Sequence, residues 1–219
     1  MNTSATVFVI DDDQNELKKL VRLMCASDYS AVTFESADAF LARIPDTMPG
    51  CLLLEVNLPD LDGLELQRTL VARGSRRPII FHTADGNIAM SVRALKAGAV
   101  DFLTKPCQDK DLLVAIKQGL AMDKAARDAQ AELERIQHRF AILTRREREV
   151  LGHVLDGRLN KQIAADLGTC EQTIKVHRMR ITEKLQVRSV VELVRLSEKA
   201  GIAKHAPELL NLQQMSLAS

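Results

Sequence analysis

Tryptophan is absent from this chain of 219 residues and tyrosine occurs once, so aromatics make up only 3% of it. Its cores must therefore be packed from Leu, Val, Ile and Ala. No apolar segment approaches the roughly 18 residues needed to span a bilayer, which excludes a membrane-spanning helix. The start, MNTSATVFVIDDD, has neither a basic n-region nor a long apolar h-region, so the chain is expected to remain in the cytoplasm. Its four cysteines, Cys25, Cys51, Cys107 and Cys170, form no CxxC pair and have no His at metal-ligand spacing, and they read as reduced, mostly packed thiols. Wholesale disorder is excluded as well, because 46% of the residues are hydrophobic and 27% charged.

What is present divides the chain in two. A length of 219 residues exceeds one typical domain of about 150. The net charge of +1 conceals an asymmetry: residues 1–120 hold 16 acidic and 13 basic side chains, 121–142 hold 4 and 4, and 143–200 hold 8 and 12. The basic end implies an anionic partner.

In the first part, apolar runs at 7–10, 31–34, 51–56, 79–81 and 99–103 alternate with helical patterns. Asp13 with Glu16 forms a capping box before one helix, Ser36 starts a second, and Gly98 ends a fourth. Continuous apolar runs are the mark of strands buried on both faces, so the expected fold is a five-stranded, doubly wound parallel sheet. In such a sheet ligands sit beyond the carboxyl ends of the strands. Asp11, Asp12, Glu55, Thr83 and Lys105 all fall at those ends and are expected to converge. Clustered carboxylates need a cation; Mg²⁺ is commonly held by one or two carboxylates with waters and phosphate oxygens. Thr83 offers a hydroxyl and Lys105 a positive charge, so the set suits phosphoryl transfer onto a strand-end carboxylate, while a structural ion-pair network is the plainer alternative.

Residues 5–120 resemble the receiver domain of two-component response regulators, carried by Asp11-Asp12, Pro59 to Gly63, Thr83 and Lys105-Pro106. That resemblance implies Asp11 and Asp12 as the acidic Mg²⁺ pair, position 55 as phosphoacceptor and metal ligand, and the backbone at Asn57 on the metal. It also implies Thr83 as switch hydroxyl, Phe102 as switch aromatic and Lys105 as the phosphate-contacting lysine. Glu55 departs from the pattern, which has Asp there, and this bears on the phosphorylation chemistry but not on the fold. One extra methylene carries the carboxylate about 1.5 Å further, into the space a phosphoryl group would fill.

Between 120 and 140 there is no Pro or Gly, and Met122, Ala126, Ala129, Leu133, Ile136 and Phe140 form one stripe. A helical linker over 121–142 is expected, its stripe serving either a dimer seam or packing on its own domains. Beyond it, Thr144 with Glu147 reads as a capping box, Asn160 as the cap of a second helix, and Gly168 to Cys170 as a turn into a third helix ending near Leu185; Ser189 with Glu192 caps a fourth. Two helices joined by a short Gly-containing turn describe a helix-turn-helix whose second helix enters the DNA major groove. Turned at 100° per residue, that helix should bury Ile174, Ile181 and Leu185 and expose Gln172, Lys175, Val176, Met179, Arg180 and Glu183, with His177 and Arg178 at the flanks.

Residues 143–198 are similar to the LuxR-type helix-turn-helix, through LTRREREVLGHVLDGRLNKQIAADLG and EQTIKVHRMRITEKLQVRSVVELV. By that resemblance Lys175 and Val176 read bases with Gln172 and Met179 beside them, and Asn160, Lys161, Lys184 and Arg188 contact phosphates. Cys170 stands where a Ser cap is common, and Thr169 with Gln172 is expected to cap in its place. The tail 201–219 carries no readable motif. Together the two domains resemble the NarL/FixJ response regulators, which implies a DNA-binding transcriptional regulator, not an enzyme. The partners implied are double-stranded operator DNA, a sensor histidine kinase and a second copy in a homodimer. Two rivals remain: a regulator whose receiver serves only dimerisation or docking, and a Mg²⁺-dependent phosphohydrolase. The second is disfavoured because His82 is the only nearby His and Glu55 is a poor substitute for an aspartyl nucleophile.

Overall fold

The computed structural model describes residues 6–202; the C-terminal tail from residue 203 lies outside the described residues. The chain divides into two compact units between Asp128 and Ala129.

The first unit alternates strands and helices: β1 (Thr6–Ile10), α1 (Gln14–Ala26), β2 (Ser30–Phe34), α2 (Ala37–Arg43), β3 (Gly50–Leu54), α3 (Gly63–Ala72), β4 (Ile79–Thr83), α4 (Ile88–Lys96), β5 (Asp101–Thr104) and α5 (Asp109–Ala141). The strands pair in parallel in the order β2-β1-β3-β4-β5, as the apolar runs predict. Because side chains alternate across a strand, Phe8, Ile10, Leu52 and Leu54 enter one core with Phe40 and Leu66, while Val7, Val9 and Leu53 enter the other with Leu20, Met24 and Ile116. Both faces are thus covered, and β3 and β4 are buried along their whole length.

Helix α1 starts at an Asp13 cap that accepts from Asn15 N at 2.8 Å. The expected reciprocal bond from Glu16 is not made: the Asp13 N–H donates to Asp11 Oδ1 at 2.9 Å, and Glu16 pairs with Lys19. Ser36 and Asn87 cap α2 and α4 through Ala39 N and Met90 N.

The expected separate linker is the second half of α5, and the packing of the first unit reaches past residue 120 to Asp128. Asp123, only 7% exposed, accepts from Gly50 N at 3.0 Å and pairs with Arg127 Nε at 2.8 Å. Arg127 then donates to the carbonyls of Thr47 (2.7 Å), Met48 (2.8 Å) and Asp46 (3.3 Å). Gly50 is required there: its φ is +145°, and a Cβ would lie 2.1 Å from the Thr6 carbonyl oxygen. Sequence periodicity gave no sign of this tie, because an acid on an otherwise mixed stripe reads as solvated.

The second unit contains α6 (Arg145–Leu155), α7 (Asn160–Asp166), α8 (Glu171–Leu185) and α9 (Val190–Lys199). Its core joins Val150, Leu151 and Val154 of α6 with Ile163, Ile174, Ile181, Leu185 and Leu193, and Ile136 and Phe140 from the end of α5 belong to it. The heptad stripe is therefore not one surface. Its last members are buried in this core, whereas Met122 is 48% exposed.

Replacing Asp123 by Ala strips Gly50 N–H of its acceptor and Arg127 of its partner, which should cost about 1–3 kcal/mol. Urea unfolding of the first unit is expected to show a lower midpoint at unchanged slope; an unchanged midpoint would mean that this buried network contributes nothing.

Candidate functional site

The sheet register brings the predicted strand-end residues together. Ile10 lies beside Leu54 and Leu54 beside Phe81, so the residues following β1 and β3 emerge next to the end of β4. β4 continues through His82 and Thr83, which makes Thr83 its last residue and not part of the following loop. Gly63 lets the β3–α3 loop fold back on this corner: its N–H donates to the Val56 carbonyl at 2.8 Å, and a Cβ would stand 2.4 Å from the Glu55 carbonyl oxygen.

Glu55 is 5% exposed and its carboxylate is fully engaged. Oε1 accepts from the N–H groups of Val56 (2.7 Å) and Asn57 (3.2 Å) and from the Thr83 hydroxyl, and Oε2 accepts from Lys105 Nζ (2.8 Å) and Ala84 N–H (3.4 Å). Lys105 also donates to Asp11 Oδ2 at 2.6 Å, so one ammonium bridges two carboxylates that are almost wholly buried. Burial alone would raise the Glu55 pKa, but the hydrogen bonds from Lys105 and Thr83 outweigh it and hold the carboxyl below its ordinary value. For Asp11 burial prevails over the Lys105 contact and its pKa rises. Burial depresses the Lys105 pKa, yet bonding to both acids reverses this and raises it.

Among the other predicted residues, Asp12 is exposed and, among the described residues, unpartnered. Asn57 is exposed and its Nδ2 donates to Asp85 Oδ2 at 3.0 Å. Half-buried Phe102 packs on Phe81 with centroids 5.7 Å apart. Alternation sends His82 to the face opposite Thr83, where it is 3% exposed and its Nε2 lies 3.4 Å from Cys107 Sγ. Burial pushes its pKa down to about 4, so it is neutral, on the opposite face of β4 from Thr83. The Ala84 N–H was not legible in the sequence, since a main-chain donor carries no residue signature.

Asp12, exposed and without a partner among the described residues, offers the hard oxygen donors that suit Mg²⁺, whereas Asp11 accepts from Asp13 N–H at Oδ1 (2.9 Å) and from Lys105 at Oδ2, and both oxygens of Glu55 are occupied by lysine, hydroxyl and amide donors. No group of three His, Cys, Asp or Glu side chains among the described residues is arranged as a metal cage.

In the second unit α8 presents Gln172, Lys175, Met179 and Arg180 as exposed residues and Val176 as half-buried, opposite buried Ile174, Ile181 and Leu185. Lys175 meets only Glu171, at 3.7 Å on the surface, a contact worth little. Lys161 and Arg188 are exposed. Leu159, not Asn160, occupies the N-cap position of α7, with its N–H bonded to Gln162 Oε1 at 2.9 Å; Asn160 instead accepts from Arg178 Nη1 at 3.0 Å. Cys170 itself is the N-cap residue of α8, its sulfur 3.1 Å from Thr173 Oγ1, so the expected Thr169–Gln172 pair is not formed. Lys184 departs from expectation most. Its amine donates to Glu147 Oε2 at 2.7 Å, and Glu147, 2% exposed, also closes the Thr144 capping box.

That pairing gives Lys184 a measurable structural role. Burial raises the Glu147 pKa, but bonds from Lys184 and Thr144 overcome it and the pKa is lowered. A depressed acid contributes stability that is present above its unfolded pKa of about 4.3 and lost as pH falls through the folded value. Lys184→Ala should cost about 1–3 kcal/mol at neutral pH, with the gap from the parent closing below about pH 4. Thermal melts over that pH range that superimpose at neutrality would refute the pairing.

Two family models match the chain: the response regulator receiver domain over residues 7–117 and the bacterial regulatory proteins, luxR family, over residues 141–197. The response regulator protein TmoT of Ectopseudomonas mendocina is 40% identical over 195 residues, 89% of this chain and 89% of that protein. The transcriptional regulatory protein FixJ of Bradyrhizobium diazoefficiens is 36% identical over 202 residues, 92% of this chain and 98% of its own length. Among solved structures, the response regulator StyR is 43% identical with a TM-score of 0.83, over 90% of this chain and all of that one.

Proposed function

The chain belongs to the response regulators that join a receiver to a LuxR-type DNA-binding domain, as FixJ does, and from that premise we infer that this transcriptional regulator has its receiver set by Glu55 instead of by phosphorylation. The observation that carries this is the convergence of the Thr83 hydroxyl, the Lys105 ammonium and the N–H groups of Asn57 and Ala84 on the Glu55 carboxylate. Those donors are what a phosphoryl group on a shorter aspartate would require. Glu55 takes them first. Its oxygens are bonded where a nucleophile must be free, and a misplacement of about 1 Å costs on the order of a hundredfold in rate. A carboxylate carries less charge and one fewer acceptor oxygen than a phosphoryl group, so the imitation is partial.

Mg²⁺ would be held by Asp12 and Asp11 with the main-chain carbonyl of Asn57, and Glu55 would contribute least. When bound, the ion supplies neutralising charge for phosphate oxygens. In the second domain Lys175 and Val176 are assigned to base edges, with Gln172 and Met179 beside them. Arg180, Lys161 and Arg188 are assigned to phosphates. Lys184 reaches phosphate only at the cost of its bond to Glu147. The partners are operator DNA bound as two half-sites by a homodimer, because one such module buries little surface, and a sensor histidine kinase.

Incubated with a small phosphodonor and Mg²⁺, Glu55→Asp is expected to gain one phosphoryl group by intact mass and to bind operator more tightly afterwards, while the parent gains neither. Acid-labile phosphate at position 55 of the parent would overturn the inference. Titration with Mg²⁺ should raise the melting temperature of the parent, and Asp12→Ala should remove that rise; a rise that survives the substitution takes Asp12 out of the ion site.

A further inference from the structure

We propose that Arg178 is a positioning residue for DNA binding: it bonds the amide oxygen of Asn160 and so presents the Asn160 amide N–H₂ to a DNA phosphate at the start of the helix-turn-helix. The inference rests on the assignment of α7 and α8 to DNA.

Arg178 lies on the flank of α8, half-buried, and its Nη1 reaches back across the motif to Asn160 Oδ1 at 3.0 Å. Asn160 is the first residue of α7, also half-buried. A primary amide has one acceptor end and one donor end, and a guanidinium is always charged and only donates. Bonding to Arg178 therefore fixes which end faces which way: oxygen towards α8, nitrogen away from it. Among the described residues the Asn160 Nδ2 makes no hydrogen bond, and no carboxylate forms an ion pair with Arg178. Unfixed, the amide turns freely and offers its oxygen to an incoming anion as readily as its N–H₂, and the oxygen repels a phosphate. A charge-assisted bond is about twice as strong as a neutral one, which is enough to bias that choice. Because side-chain donors to phosphate set the register of a protein on the duplex without reading sequence, the pair also ties the entry of α7 to the middle of the recognition helix.

Arg178 has an alternative as a direct phosphate contact, since its cation has no acidic partner. Salt dependence separates the two. A cation on a phosphate contributes about 0.9 to the slope of log K against log salt, whereas a guanidinium that only orients a neutral amide contributes nothing.

The experiment is a double-mutant cycle on the full-length protein with Asn160→Ala, Arg178→Met and the double variant. The probe is a duplex selected by the parent from random fragments, titrated at several salt concentrations. Each single variant is expected to bind on the order of tenfold more weakly, the double no more weakly than either single, and all with the parent's salt slope. Additive losses, or a slope reduced by about 0.9 in Arg178→Met, overturn the proposal. Arg178→Leu, which likewise removes both the donor and the charge, runs the same cycle should the Met variant melt early. Lys175→Ala serves as the separate control: if it binds as the parent does, the assignment of α8 to DNA fails, whereas a loss there with an additive cycle removes only Arg178.

Discussion

One ammonium between two buried carboxylates organises the first domain. Asp11 and Glu55 follow adjacent strands, and parallel register with continuous apolar runs brings their side chains to the same corner without providing anything to neutralise them. Lys105, arriving from the far edge of the sheet after β5, closes the gap with bonds of 2.6 and 2.8 Å. Removing one partner of such a buried set leaves an uncompensated charge, which costs about 3–5 kcal/mol. The order of strands, the glycine at Gly63 and the placement of Thr83 on the last residue of β4 let four side chains from four strands meet.

That interaction also decides what position 55 can do. With glutamate, the lysine, the threonine hydroxyl and two amide groups are drawn onto the carboxylate itself, and the corner is complete as it stands. With aspartate the reach is shorter by about 1.5 Å, and the same donors are left facing a gap of the size and polarity that a phosphoryl group fills. On the proposed reading, the difference between a chemical site and a finished ion network is one methylene, about 1.5 Å of reach. His82 illustrates the same point negatively: one residue from Thr83, it is on the other face of β4, buried and neutral.

The fold and the strand-end cluster were legible because they rest on periodicity and on residue type. Apolar runs mark the five strands, and the ends of four of them (β1, β3, β4 and β5) mark Asp11, Glu55, Thr83 and Lys105, which could be grouped before any contact was seen. What was not legible depends on pairing between distant side chains or on the main chain. Lys184 reads as a surface cation on a DNA-binding helix, and only the packing of α6 on α8 shows that its partner is the buried Glu147. Asp123 and Arg127 fall four residues apart on a helix, a spacing that ordinarily means a solvated pair. It is the loop 46–50 arriving against them that buries Asp123. Cys170 stands where a Ser cap is common, and the turn geometry makes it the N-cap residue of α8 although its side chain makes no capping hydrogen bond.

The second domain shows why a recognition helix is hard to recognise from its pattern alone. Ile174, Ile181 and Leu185 give α8 a narrow buried stripe, but the opposite side carries Met179, 52% exposed, and half-buried Val176, which blur the apolar and polar faces. An exposed methionine by itself needs no explanation, since much of any protein surface is apolar. Here it sits with Gln172 and Lys175 on one face, so hydrogen-bonding, cationic and apolar groups are offered together. On the proposed reading that mixture suits the major groove, where acceptors, donors and thymine methyls alternate along the base edges. Local patterning finds the buried stripe of α8, but it cannot identify the neighbour of the opposite face when the proposed neighbour is not part of the chain.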